Sequence, residues 1–598
     1  MAIVPLTKVT LLGTTNQKDV VLDELQELGC LHLIDLGQSD PRHASVVNIS
    51  DETRQALRYL RNCPVRRRPT PHDVGFHPDV IIRRTLEIAE RQEELRRQRD
   101  ELVQAIEQLR PWGDFQQPEE MEFGDLRFWC YVVPQYKLRL LDELDLTWQV
   151  VARDQRAAYV IVIAVDEPQQ MPVPHVHLDA RPLSTLEKML ETAESELEDL
   201  HWQRVALTRW IESIQRSIAQ VEDQAAHDLA AQLSLDDQPL FAVQGWVPQR
   251  ELNRVRSLAE AQSLALTIDP PGRGDTPPTL LENPPLTAGG EDAVTFYTTP
   301  AYNSWDPSSI VFISFSLFFA MIMADAGYAL VLSGLLLLLW RKLGRSSTGH
   351  RFRNLAFSVL CTSIAYGILI GSYFGRPPAV DSYFHSAIVL DASDTSLMMR
   401  VSISLGVLHL SLANLAIAWK RRWSLQMLSP VGWIALLLGG LVYGLDRTGV
   451  DLAEWMRPIG QWGLVSGAVL VLLFSSDRSL WTLRAKTHAL RLADGVMSLT
   501  NVTRAFGDVL SYLRLFALGL ASAQLAATFN ELTYKASCCI GIGSLLAVLV
   551  VTLGHGLNLT LTVMSGVVHG LRLNCIEFFG WGLPEEGYPF QPFNRKAT

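Results

Sequence analysis

The chain lacks a CxxC pair, a His/Cys cluster at metal-ligand spacing, a GxxxxGK[ST] loop and a basic-flanked apolar leader. Each absence closes a class of function. Seven cysteines scattered over 598 residues (Cys30, Cys63, Cys130, Cys361, Cys538, Cys539, Cys575) read as reduced and structural, not as a disulfide scaffold or a zinc site. Without the phosphate-cradling loop, ATP chemistry is expected in another chain, and no motif asks for a cofactor or metal. The start, Met-Ala-Ile-Val-Pro-Leu-Thr-Lys, carries nothing to direct it across a membrane, so the first half is expected to be cytoplasmic. A net charge of −11, carried mainly by that half, argues against nucleic acid as a partner.

What is present divides in two. Apolar residues make up 48% of the chain and mean hydropathy is +0.13, the upper edge for soluble proteins, yet this averages unlike halves. Residues 1–300 are rich in Glu, Arg, Gln and Asp and read as a soluble arm; residues 301–598 hold most of the long apolar runs and read as membrane.

In the arm, an apolar strand (Val4 to Leu12), a polar helix (Lys18 to Leu28), Gly29 and a second strand (Leu31 to Leu36) suggest an α/β lobe over 1–75, completed by 236–268. Ile81, Ile88, Leu95, Leu102 and Leu109 then recur every seven residues through a charged stretch, the period of a narrow apolar helix seam. A second seam runs from Leu186 to Val221 in steps of four and three, with one break at Arg204. The expectation is an antiparallel coiled coil of 79–111 with 183–235, a mechanical element without a catalytic constellation. A lobe over 115–180, with strands such as Phe128 to Val133 and Tyr159 to Val165, caps it. Val133-Pro134-Gln135 and Val247-Pro248-Gln249 are a faint echo between the lobes, and a Pro-rich linker over 269–300 leads into the membrane half.

Apolar runs near the ~20 residues that span a bilayer lie at 309–324, 326–340, 355–374, 398–419, 431–445, 458–475, 506–532 and 540–572, about eight helices. The first two are short and separated only by Asp325, as in a tight helical hairpin. Loops after the second and fourth runs are basic (Arg341, Lys342, Arg345, Arg351, Arg353; Lys420, Arg421, Arg422), and those after the third and fifth are acidic. Basic loops face the cytoplasm, so both termini are expected there.

The seventh run contains Arg514. An arginine mid-helix costs roughly 2.5–3.5 kcal/mol on insertion scales, so it must face protein, water or a carboxylate. Ala517 and Ala521 share its stripe and leave room for another helix. In the eighth run His555, Asn558, Thr562, Ser565, His569 and Arg572 recur in steps of three and four, a continuous polar stripe along an apolar helix. Facing a cleft, it gives protons or hydrated ions a path; facing a neighbouring polar helix, it is hydrogen-bonding glue.

These residues carry a specific resemblance. Ser511-Tyr512-Leu513-Arg514-Leu515, with Ala517-Leu518 and Ala523-Gln524-Leu525, resembles the signature helix of the a subunit (subunit I in bacteria) of V-type and A-type rotary ATPases, with its essential arginine. Val568-His569-Gly570-Leu571-Arg572-Leu573 and Glu577-Phe578-Phe579 resemble the family's C-terminal block with its second functional arginine. Phe318-Phe319, Asp325-Ala326-Gly327-Tyr328, Gly371-Ser372-Tyr373-Phe374-Gly375 and Gly245-Trp246-Val247-Pro248 are similar to further family motifs. Departures are Ser522, where eukaryotic members carry a histidine, Thr562, where they carry a glutamate, and Ala324 and Ala329 in place of glycines.

The resemblance implies an all-α polytopic membrane domain ending in two long tilted helices, and a non-catalytic stator of the membrane sector of an ATP synthase or V-type ATPase in the inner membrane. Its implied partners are the c-ring of proteolipid subunits, peripheral-stalk subunits, the central-stalk cap subunit and the lipid bilayer. The resemblance further implies that it carries protons or sodium through two half-channels. The implied translocation residues are Arg514, Arg572, His569, Ser565, Thr562, Asn558, His555, Ser511, Ser522, Gln524 and Glu577, with Asp325 structural. A secondary transporter would carry inverted repeats or paired broken helices, and no corresponding Gly/Pro-interrupted pair is found in two halves. A membrane-tethered scaffold accounts for the first half but not for an arginine and a polar stripe in adjacent helices.

Overall fold

The computed structural model describes residues 3–36, 50–69, 75–114, 126–142, 144–272, 274–391, 394–450, 452–478, 485–538, 543–583 and 585–596. Two compact units emerge: Met1–Gly13, Cys30–Ile34 and Ala242–Pro592 in one; Thr14–Gly29, Asp35–Phe241 and Phe593–Thr598 in the other.

The second unit is built on long helices. Pro78–Leu109 runs antiparallel to Leu183–Leu207 and Ile211–Leu233: Leu102, Ile106 and Leu109 pack with Leu186, whereas Ile81 packs with Trp210, Ile211 and Ile214. Arg91 bridges to Glu196 at 2.9 Å between the two clusters. The break read at Arg204 has a physical cause. A third helix, Asp51–Arg61, enters there, and the buried Arg204 lies over the Tyr59 ring (3.9 Å) and donates to the Tyr59 carbonyl. The seam passes through a 3-10 turn, Thr208–Trp210, before resuming. In the capping lobe, Arg127–Pro134, Ala157–Ala164 and Thr147–Arg153 form an antiparallel sheet whose central strand alternates burial (Ala158, Val160, Val162), as expected of a sheet with one covered face.

In the first unit, strands His32–Ile34, Leu240–Pro248, Leu6–Thr14 and Ala265–Asp269 lie side by side in that order. The echo read at the two Val-Pro-Gln sites is a shared local form: a strand ending on proline, then a 3-10 turn. The Pro-rich stretch over 269–300 is held by specific contacts. It contains the helix Ala288–Thr295, whose Gly290 packs on the Ser308 carbonyl and whose Glu291 and Asp292 both pair with Arg351.

Among the described residues, seven helices are long and apolar enough to cross a membrane. The first expected run, 309–324, forms the helix Ser308–Met323, only 16 residues, and is not among those seven. At 1.5 Å per residue it reaches about 24 Å, short of the ~30 Å apolar layer. It ends where Ala324 turns left-handed (φ 46°) and Asp325 caps the next helix, the tight hairpin expected from the sequence. A larger correction concerns the seventh run. Expected over 506–532, it belongs to a helical stretch, Lys486–Ser537, of 52 residues, with irregular joints at Asn501 and Tyr512. Charges at Lys486, Arg491, Asp494 and Arg504 hid its first half from an apolar-run criterion. The eighth run likewise continues, from Gly543–Arg572 into a π-helical segment, Leu573–Phe578, and on to Gly582.

Candidate functional site

Arg514 opens the helix Leu513–Ser537, and the residue two places before it sets its position. The Tyr512 ring is fully buried, edge-on to Phe318, and its hydroxyl meets His409 Nδ1 at 2.8 Å. His409 in turn stacks on Phe578 (4.2 Å, 9°). The ring fits because residue 406 is glycine: a Cβ there would lie 2.6 Å from it. Leu515 is buried beside it in the same core as Phe318, Leu410 and Leu573. One turn on, Gly519 lets the helix touch the Met321 carbonyl, 2.6 Å from where a Cβ would sit. Gly519→Val is therefore expected to destabilise the fold by about 1–3 kcal/mol by forcing these helices apart. Thermal unfolding of the purified protein measures this, and an unchanged midpoint contradicts the close approach.

With Tyr512, Leu515 and Gly519 turned into the core, Arg514 lies on the half-buried flank. Its Nη1 is enclosed and has no hydrogen-bond partner among the described residues. Ala517, Ala521, Gln524 and Thr528, at successive turns along that flank, are all exposed.

The polar stripe of Gly543–Arg572 divides in two. Thr562 bonds Ser522 (2.8 Å), Asn558 donates to the Ser522 carbonyl and the Tyr328 hydroxyl (3.0 Å each), and the same hydroxyl meets His555 Nδ1 (2.7 Å). Asn530 meets His555 Nε2 at 3.3 Å and donates to the Phe374 carbonyl. The stripe from 555 to 562 is thus knitted to its neighbours. Further along, Ser565 and His569 are half-buried and Arg572 is exposed; His569 Nδ1 is enclosed without a partner among the described residues. Arg514, His569 and Arg572 lie within electrostatic range of one another.

Beyond Arg572 the helix widens to π-helical turns, a rare form that recurs at functional sites. The segment is buried and pinned: Asn574 is bonded by Ser314 (2.5 Å) and itself donates to the Gly570 carbonyl, and Trp581 donates to Asp508 on the facing helix (2.7 Å). This brings Glu577, 2% exposed, against Ser511 and within range of Arg514 and Arg572.

A cavity of about 660 Å³ opens on another side of the arginine helix, lined by Phe516, Gly519, Leu520, Ala523 and Gln524 and, from the opposing loop, by Arg376 and His385. Asp325 is fully engaged: its carboxylate accepts from the backbone of Tyr328, Phe374 and Gly375 and from the Ser372 hydroxyl (2.8–3.0 Å). Sequence reasoning named Tyr328 and Tyr512 only as motif members without a role, and did not single out Asn530 or His409. His409 carried a signal, an ionisable residue within an apolar run of spanning length. For the others, only the fold brings the partners together. Among the described residues, no group of three or more His, Cys, Asp or Glu is arranged for a metal ion.

The fold and site define a helical membrane protein with a charged cluster between its last two long helices. Its curated homologues are subunit I of V-type and A-type ATP synthases. The chain is 29% identical to V-type ATP synthase subunit I of Chlamydia pneumoniae over 430 residues, 60% of this chain and 62% of that protein, so the match spans less than two thirds of the relative. V-type ATP synthase subunit I 1 of Treponema pallidum is 26% identical over 99% of this chain and 100% of its own length. A-type ATP synthase subunit I of Methanocaldococcus jannaschii is 26% identical over 70% of this chain and 64% of its own. A crystal structure of the cytoplasmic N-terminal domain of subunit I, homolog of subunit a, of V-ATPase aligns with 44% of this chain and 99% of its own, at 15% identity and a TM-score of 0.24. No family model matches the chain.

Proposed function

We propose that the chain is the non-catalytic stator subunit of the membrane sector of a V/A-type rotary ATPase, carrying protons or sodium past a ring of c subunits. The observation that carries this reading is Arg514: a cation in a helix of spanning length, with an enclosed nitrogen that has no hydrogen-bond partner among the described residues. The exposed flank of Ala517, Ala521, Gln524 and Thr528 is the surface such a ring would sweep.

The chemistry follows from charge in a low-dielectric layer. A ring carboxylate facing lipid is neutral, by protonation or a bound ion, because an isolated charge is too costly there. Opposite Arg514 the ionised form is favoured and the ion leaves. In this reading the 660 Å³ cavity beside Gln524 is one half-channel. Ser511, His569, Arg572 and Glu577 line the approach to the other. Ser522, Asn558, Thr562 and His555, bonded to their neighbours, hold the two helices together, and Ser565 sits between the groups. Both termini are cytoplasmic, the chain crosses the membrane several times, and the paired long helices act as a coiled coil linking to peripheral stalks, with a central-stalk cap subunit beside the ring.

Co-purification from gently solubilised membranes tests the assembly. A small, very hydrophobic subunit with a mid-helix Glu or Asp is expected to accompany the chain in several copies. Repeated recovery of the chain without one overturns the reading.

A further inference from the structure

Resting on that reading, we propose that Glu577 is the chain's own counter-ion for Arg514, holding the guanidinium in the intervals when no ring carboxylate faces it. Three observations converge. First, Arg514 Nη1 and Glu577 Oε2 are both enclosed atoms without a hydrogen-bond partner among the described residues: an unfilled donor and an unfilled acceptor. Buried polar groups are nearly always paired, so two complementary orphans in one neighbourhood call for an explanation. Second, among the described residues Glu577 is the carboxylate within electrostatic range of Arg514.

Third, Glu577 is delivered by a built structure. The π-helical turns Leu573–Phe578 place it on the side facing the arginine helix, and Asn574–Ser314 and Trp581–Asp508 fix the segment at both ends. The Glu577 carboxyl group is within reach of the Ser511 hydroxyl, which also lies 3.2 Å from the Gly507 carbonyl. Arg572, the other charged group near Arg514, is a cation with no acceptor to offer Nη1. Arg514 thus has two carboxylate partners that alternate, one arriving on the ring and one resident. The resident one keeps the cation from holding a ring carboxylate too long.

The test is ATP-driven transport by the assembled complex in membrane vesicles, normalised to ring subunit co-purified. Glu577→Gln, equal in size but neutral, is expected to slow transport about tenfold or more, because a buried charge loses its partner. Glu577→Asp is expected to retain most of the rate, since it keeps the charge. If Gln and Asp variants are equally impaired, in transport or assembly, shape rather than charge matters and the counter-ion role fails. Wild-type transport by E577Q, with R514Q inactive, also overturns the role but leaves the stator reading intact. An active R514Q overturns the stator reading itself.

Discussion

Arg514→Gln is expected to lower ATP-driven ion transport about 10- to 1,000-fold while the protein still assembles, because an adjacent cation lowers a carboxylate pKa by about 1–3 units. Removing the cation returns that shift. A ring carboxylate opposite glutamine ionises 10 to 1,000 times less readily, and release of its ion becomes limiting. Folding should survive. The packing that positions the helix belongs to Tyr512, Leu515 and Gly519 and not to Arg514, and glutamine still offers an NH2 donor toward the Glu577 carboxylate. Arg514→Lys should fall between the two, since it keeps the charge but loses the planar fork that binds a carboxylate through two parallel bonds. Ion flux into vesicles and recovery of assembled complex, measured on the same preparations, decide the matter. Normal pumping by the glutamine variant sinks the assignment.

How much of this was legible in the residues depends on the range of the interaction concerned. Period-seven leucines and apolar runs report local helical faces, and the helices Pro78–Leu109 and Gly543–Arg572 lie close to where their patterns put them. Charge in the first half of Lys486–Ser537 hid its length, because an apolar-run criterion cannot see a helix whose polar face meets water or protein. The polar stripe was visible as a period, but its division was not. Whether His555 and Asn558 bond a neighbour depends on Tyr328, more than two hundred residues away, and no spacing rule reaches that far. The π-helical turns that aim Glu577 were equally out of reach, since an extra residue in a helical turn leaves no mark in a hydrophobic period.

Asp325 shows how a motif residue with a charge can serve the fold, and it supports the second large effect. The turn at Ala324–Asp325 is buried, with Asp325 4% exposed, so water cannot satisfy free backbone groups there. Three backbone N–H groups, of Tyr328, Phe374 and Gly375, and the Ser372 hydroxyl converge on the one carboxylate, so it joins the hairpin to the loop that follows Ser347–Ile370. Gly367 completes the joint, its missing Cβ leaving room for the Ala326 backbone. Asp325→Ala strands all four donors. At about 1–3 kcal/mol for each buried group left unsatisfied, with partial relaxation, the loss is on the order of 4 kcal/mol or more. That is a large share of an ordinary 5–15 kcal/mol stability. Asp325→Asn keeps the shape but turns an NH2 group toward donors, and is expected to fail similarly. Both variants should show low recovery and a lower unfolding temperature, while whatever complex does assemble transports at the normal rate per complex. An Asn variant that assembles fully yet carries no ions would move Asp325 from the scaffold into the ion path.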